Sequence, residues 1–314
     1  MKNTIKRIFV MLFCMLFVST FVVSAAFGVE GGDNAIGFTV SPLTENIVLA
    51  PGESYSSSIR VSNPGNSQND VGYEVEVQPF FVDEEYNTIF RDIDNRSLMA
   101  NWITIDSPST GVISPNETNE IVFTINVPED APAGGQYADV RVVSANVDNN
   151  SGENSSAIGE KIAIGHLIFA EVTGNTIRQG EIISTEVPSF LLSGDIKGTT
   201  AIKNTGNVHS VATYKLQIFP LFSDEELYTN EEDPEQKTIL PDRTLYNETV
   251  WDKTPSIGIF NVVYTVEFEG ITTQVSKMVI KCPIWLMFVL IFALFLLIFY
   301  FVLMAKNRKK STKN

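Results

Sequence analysis

The residues best equipped for chemistry in this 314-residue chain are few and scattered. It holds two histidines, His166 and His209, and two cysteines, Cys14 and Cys282. His166 lies in an otherwise apolar run and His209 two residues past a turn. Neither has a Cys, His or acid at metal-ligand spacing. No serine stands in a G-x-S-x-G or S-x-x-K setting, and no glycine loop of the phosphate-cradling kind occurs. Nucleophilic, metal-assisted and phosphoryl-transfer chemistry therefore lack their usual parts. No catalytic, cofactor-binding or metal-binding residue is assigned, and the chain reads as a non-enzyme.

Two other groups stand out. Asp83-Glu84-Glu85 and Asp224-Glu225-Glu226 are acid runs, the second followed by Glu231, Glu232, Asp233 and Glu235. Calcium takes six to eight oxygens and suits acidic loops, but no D-x-D-x-D-G spacing is present and consecutive carboxylates point apart. A solvated loop is the plainer reading. Phe80, Phe81, Phe219 and Phe222 flank Pro79 and Pro220. Such a rim can stack on a glycan or a partner strand, or pack the end of a β-sandwich.

These residues are carried by β-strands. From Ile36 onward, short β-rich runs alternate with turn signals such as Pro51-Gly52 and Asn63-Pro64-Gly65-Asn66. Phe38–Leu43 and Ser54–Asn63 are strand-like. Tyr73, Val75 and Val77 alternate with Glu74, Glu76 and Gln78, the period of a half-buried strand. Trp102–Asp106, Asn119–Pro128 and the run from Gln136 repeat the pattern, and no stretch between the two terminal apolar segments has a helical period. Asn146–Glu160 has the Ser/Asn/Gly content of an interdomain linker. It reads better as a long hairpin loop, because the strand-like run Ile162–Gly174 then completes the first module.

The chain also repeats itself. Asn63, Tyr73, Pro79 and Asp83 match Asn204, Tyr214, Pro220 and Asp224 at one offset of 141. Further on, Ile113–Thr118 matches Ile239–Thr244, and the run from Pro132 matches that from Pro255. A repeat this long means tandem domains, not a solenoid. The expected fold is all-β: two tandem Ig-like β-sandwiches of about seven strands each, residues 37–174 and 175–281, with one C-terminal transmembrane helix. The last strand runs into Lys281-Cys282-Pro283 almost without a spacer. The second domain is thereby held close on the bilayer, leaving the first free to meet a partner.

The anchor is Pro283–Ala305, 23 residues without a charge, about 34 Å long as a helix and enough to cross a hydrocarbon core. The tail, 306–314, carries Lys306, Arg308, Lys309, Lys310 and Lys313, which places it in the cytoplasm and the bulk outside. Lys2, Lys6 and Arg7 followed by apolar Ile8–Val23 and Ser24-Ala25-Ala26 form a signal peptide, 1–26, whose run is also long enough for an uncleaved anchor. Residues 27–36 are a flexible entry. The product is a single-pass, type I membrane protein.

All 37 acids lie between leader and span, against 14 of the 22 bases, a net of −23 for the outer part. That charge excludes nucleic acid and polyanionic polymers as partners. With Cys14 in the leader and Cys282 at the membrane boundary, the outer part has no disulfide, which favours a bacterial envelope over an animal cell surface. The N-x-S/T triplets at Asn95, Asn116, Asn149, Asn154 and Asn247 would accept glycans only in a eukaryotic secretory pathway.

The sequence Phe38-Thr-Val-Ser-Pro42, the turn at Pro51-Gly52, the strand entry Gly134–Tyr137, two related modules, one helix and a lysine-rich tail together resemble the bacterial surface proteins that interact with WxL-domain proteins. The resemblance implies a first domain that contacts peptidoglycan and a second that meets a WxL partner, and it transfers no binding residue. The expected role is non-enzymatic binding of an envelope component, a cell-wall polymer or a surface protein. The alternative is an accessory or scaffold subunit of a membrane export or assembly machine, in which the helix itself recognises partners. A hydrolase with an unrecognised site is the remaining option.

Overall fold

The computed structural model describes residues 37–64, 69–145, 161–223 and 225–311, with side chains as far as Leu303. The signal peptide, the flexible entry, residues 65–68 in the turn after Asn63, the loop 146–160, Asp224 and residues 312–314 lie outside the described residues.

In chain order the strands are β1 (Thr39–Ser41), β2 (Thr44–Leu49), β3 (Ser54–Ser62), β4 (Val71–Pro79), β5 (Phe81–Val82), β6 (Thr88–Ile89), β7 (Ile103–Ile105), β8 (Thr110–Ile113), β9 (Thr118–Asn126), β10 (Gly134–Ala145) and β11 (Ala163–Val172). They continue as β12 (Gly180–Glu186), β13 (Phe190–Leu191), β14 (Ile196–Asn204), β15 (Ser210–Pro220), β16 (Tyr228–Thr229), β17 (Glu235–Ile239), β18 (Thr244–Trp251), β19 (Gly258–Phe268) and β20 (Ile271–Lys281). Helix α1 (Ile284–Ser311) follows. Among the described residues the protein is mostly β, with one long apolar helix at its C-terminal side.

Period-two patterning explains the layers. In β9 the inward residues Ile121, Phe123 and Ile125 are buried while their neighbours face out. They meet Val140, Val142, Ile168 and Ala170 from a second sheet in one core. The first sheet pair thus stacks β1-β3-β9-β7 on β2-β11-β10-β4-β8. A second pair, β12-β14-β18 on β13-β20-β19-β15-β16, encloses its own core around Tyr214, Leu216, Val262, Tyr264 and Val266. Strand β10 pairs with β11 from Gly134↔Val172 to Val143↔Ala163, so the run after the 146–160 loop belongs to the first pair.

The opening run Phe38–Leu43 is not one strand. Pro42, which has no N–H to offer a ladder, ends β1 on β3, and β2 then crosses to lie parallel to β11 in the opposite sheet. The second pair opens alike: β12 pairs with β14, and after Pro188 the short β13 runs parallel to β20.

The same hydrogen-bond clasp occurs in both pairs. Asn63 is buried, and its Nδ2 donates to the carbonyls of Asn69 and Ile113, each at 3.0 Å. Asn204 is buried too, with Nδ2 donating to Val208 and Ile239 at 2.8 Å. The backbone bonds repeat as well. Asn63 N–H donates to Glu117 and its carbonyl accepts from Asn116; Asn204 does the same with Arg243 and Asp242. Asn116 and Asp242 hold positive φ angles of 67° and 57°, a conformation in which Asn and Asp are common. An asparagine amide here replaces the ladder partners that two strand ends and a turn would otherwise lack.

Between the two pairs lies a third cluster of Phe80, Phe81, Val82, Tyr137, Phe169 and Leu240. It is closed by polar contacts. Arg96 donates to the Asn207 carbonyl at 2.9 Å and pairs with Asp242 at 3.4 Å. Arg243 donates to the Val82 carbonyl at 3.0 Å and lies over the Phe81 ring, and Arg178 pairs with Glu171. Apolar contact supplies the attraction here, and the arginines add charge-assisted hydrogen bonds to carbonyls at its edge.

Helix α1 begins at Ile284, one residue later than the apolar run, because Pro283 donates no hydrogen bond but its carbonyl accepts from Leu286 and Met287. Ile284–Leu303 is long and apolar enough to cross a membrane and is nowhere buried against the rest of the protein.

Candidate functional site

The outward face of the β1-β3-β9-β7 sheet carries an array of small hydroxyls. Along β3 the outward residues are Ser54, Ser56, Ser58, Arg60 and Ser62; opposite them on β9 stand Asn126, Thr124, Val122, Glu120 and Thr118. Small hydroxyls keep the face flat, since none projects more than one atom beyond Cβ except at Arg60, Glu120 and Asn126.

The hydrogen-bond directions can be followed. Thr124 Oγ1 donates to Asp106 Oδ2 at 2.7 Å, so the 2.9 Å contact with Ser56 Oγ has Ser56 as donor. Ser54 Oγ donates to Asn126 Oδ1 at 2.8 Å and Ser58 Oγ to Glu120 Oε1 at 2.7 Å. With their hydrogens committed sideways, Ser54, Ser56 and Ser58 present oxygen lone pairs to solvent. The face accepts hydrogen bonds and suits a ligand that brings hydroxyl or amide donors. Ser56, Ser57, Ser58, Glu120 and Val122 line a shallow hollow of about 340 Å³ in it.

A polar knot lies beneath this face. Ser57 Oγ donates to both carboxylate oxygens of Glu45, at 3.1 and 3.0 Å, and Tyr55 OH donates to Oε1 at 2.7 Å. His166 Nε2 faces Glu45 Oε2 at 3.3 Å and its Nδ1 faces the Pro42 carbonyl at 2.9 Å. The bond from His166 leads in holding the Glu45 carboxyl below its ordinary range, helped by Tyr55 and Ser57 and opposed by burial. Glu45 in turn holds the Tyr55 phenol above its usual value. Serine, histidine and a carboxylate meet here in the wrong order for acyl transfer. The serine hydroxyl is spent on the carboxylate, while the imidazole is fully buried and faces a carbonyl. The knot ties β2 to β3 and β11.

His209 lies elsewhere, between the sheet pairs. Its ring packs on Tyr137 and Phe169, and burial, followed by the charge of Arg178, pushes it down to about 4. The two histidines therefore serve separate cores. Asp83 caps its own loop: Oδ1 accepts from the N–H groups of Glu85 and Asn87, and Asn87 leads in lowering its carboxyl. Glu226 and Glu231 both accept from Gln217. Among the described residues no three His, Cys, Asp or Glu side chains converge as a metal site would require.

The four phenylalanines part company. Phe80 and Phe81 are buried between the sheet pairs, Phe219 is half-buried and Phe222 is 95% exposed. Sequence reasoning passed over the serines, although the period-two run Ser54, Ser56, Ser58, Ser62 was a visible signal of a polar strand face.

No family model matches the chain, and no curated protein does. Among solved structures it is similar to the class 5 fimbriae chaperone CfaA, with 16% identity and a TM-score of 0.37 over 79% of this chain and 100% of that one. It is also similar to the E. coli chaperone DraB, with 11% identity and a TM-score of 0.35 over 76% and 96%. The Pseudomonas aeruginosa CupB2 chaperone gives 10% and 0.33 over 74% and 97%. Overlap at this level assigns neither fold nor partner.

Proposed function

We propose that this chain is a membrane-anchored, non-enzymatic binding protein of a bacterial envelope. Two tandem Ig-like domains stand outside the membrane on Ile284–Leu303, and the first presents its serine-lined sheet to a neutral cell-wall glycan. The duplicated asparagine clasps and the duplicated crossing of sheets after a proline support the reading of two copies of one module. The basic tail supports the outward orientation. The observation that carries the binding role is the acceptor array of Ser54, Ser56 and Ser58 on an open sheet face. Glycan hydroxyls and N-acetyl amides bring the donors such an array lacks, and the net charge of −23 disfavours anionic wall polymers.

The test is co-sedimentation of the detergent-solubilised full chain with insoluble peptidoglycan stripped of anionic polymers. The wild type should pellet, and a variant combining Ser54→Ala, Ser56→Ala and Ser58→Ala should stay soluble with an unchanged melting temperature. Equal behaviour of the two would remove the serine face from the binding role.

A further inference from the structure

One end of the second sheet pair is built directly onto α1. Lys281, the last residue of β20, lies opposite Gly258 on one side and Leu191 on the other. The Cys282 N–H still donates to the Leu191 carbonyl at 2.9 Å, so sheet pairing runs to the residue before Pro283. Across the same end Pro220 pairs with Phe260, and the Leu221 N–H donates to the Ile259 carbonyl, carrying the chain on to Phe222.

This end exposes apolar side chains next to the acid run that follows Phe222. Phe222 is 95% exposed, and Phe190, Leu192, Ile257 and Ile259 are each 41–49% exposed. Phe190 and Ile259 flank Ile280 in one cross-strand row, Leu192 and Ile257 lie just beyond β13 and before β19, and Phe222 follows the end of β15. With only Cys282 and Pro283 between sheet and helix, the Lys281 row stands at most about 10 Å from Ile284. The interfacial layer on each side of a hydrocarbon core is roughly 5–8 Å deep. Leu192, Ile257 and Phe222, which lie beyond the strand ends, are the apolar residues placed nearest to it.

We propose that this rim is a lipid-contacting surface: the second domain sits in the interfacial layer of the bilayer, with Phe222 inserted among the acyl chains and headgroups. The inference rests on the reading of Ile284–Leu303 as a membrane span. Apolar burial supplies the attraction, since the acidic outer part gains nothing from anionic lipid. Partial insertion fixes the tilt of the second domain, and through the contacts of Arg96 with Asn207, Arg243 with Val82 and Tyr86 with Thr238 it also sets the direction in which the first domain points.

The experiment places single nitroxide labels on the full chain in zwitterionic phosphatidylcholine vesicles, in a background of Cys14→Ser and Cys282→Ser. Labels go to Phe222→Cys and Ile257→Cys in the rim, to Leu294→Cys in the helix, and to Ile271→Cys at the far end of β20. Power saturation with oxygen and with a water-soluble nickel chelate reads depth. Rim labels should give an oxygen-to-nickel accessibility ratio several-fold above that of Ile271→Cys and approaching that of Leu294→Cys. Rim labels equal to Ile271→Cys, with Leu294→Cys in hydrocarbon, would overturn the lipid contact and leave the anchor standing. A water-exposed Leu294→Cys would overturn both.

Discussion

The hydroxyl of Tyr86 accepts a hydrogen bond from the backbone N–H of Leu240 at 3.0 Å, across 154 residues of chain. The same hydroxyl donates to the Thr238 carbonyl at 2.7 Å. Burial raises the phenol to about 12, so it stays a neutral donor throughout the physiological range. One side chain from the loop after β5 thus replaces two bonds that the end of β17 cannot make within its own sheet. Tyr86→Phe keeps the ring and leaves that N–H and carbonyl unpaired. It should cost about 1–3 kcal/mol, read as a lowered midpoint in denaturant unfolding with an unchanged m-value.

The His209 imidazole gives the junction a pH dependence. Its folded value of about 4 lies below the ordinary 6.5. Both states are neutral above 6.5, so the junction keeps its full stability there. As the pH falls from 6.5 to about 4, only the unfolded state takes up the proton and the fold loses up to about 3 kcal/mol. The depressed Glu45 carboxyl acts in the same direction, but below its ordinary 4.5. His209→Gln should therefore flatten the melting-temperature profile between pH 6.5 and 5. A profile as steep as that of the wild type would count against the buried neutral imidazole.

Asn204 satisfies two buried carbonyls and the Gly206 N–H at once. Asn204→Ala removes all three bonds; the Gly206 N–H keeps the Gln179 carbonyl, while the two buried carbonyls gain nothing in exchange. A loss of about 2–6 kcal/mol is expected, since each of the two abandoned buried carbonyls costs about 1–3 kcal/mol. Asn63→Ala should cost a comparable amount through Asn69 and Ile113. Calorimetry on both variants checks the equivalence of the two clasps.

Gly198 is required by a close approach. A Cβ there would stand 2.5 Å from Tyr264 Cγ, and Tyr264 is fully buried with its hydroxyl accepting from Thr200 at 3.1 Å. Gly198→Ala must push that ring out of place, at about 1–3 kcal/mol by the usual cost of overpacking. Gly194 has open space around it but a φ of 76°, so Gly194→Ala should cost about 1 kcal/mol through backbone conformation alone. Paired thermal melts separate the two causes.

Much of the strand layout was legible because burying one face of a sheet imposes a period of two on the chain. Tyr73, Val75 and Val77 announce β4 in this way, and Ser54–Asn63 announces β3. The apolar helix Ile284–Leu303 was legible for a similar reason: an uncharged run of helical length needs no partner from elsewhere in the chain to be recognised. The crossing at Pro42 was not, since the same residues satisfy a single strand or two half-strands in opposite sheets. The serine face was hidden by its plainness, because small hydroxyls are equally compatible with a turn, a solvated strand or a binding surface.

Phe81 and Phe222 mark the boundary between what sequence and structure decide. Each follows a proline at the end of equivalent strands, in Pro79-Phe-Phe and Pro220-Leu-Phe. The sequence by itself determined that the strands end there, that the segment repeats after 141 residues, and that an apolar helix follows. Only the tertiary structure decided that Phe81 is buried against Tyr137 and Arg243 while Phe222 is left bare at the end of the second sheet pair. Strand periodicity is a property of neighbours along the chain. Burial of a strand end depends on what distant segments bring against it, and no local pattern encodes that.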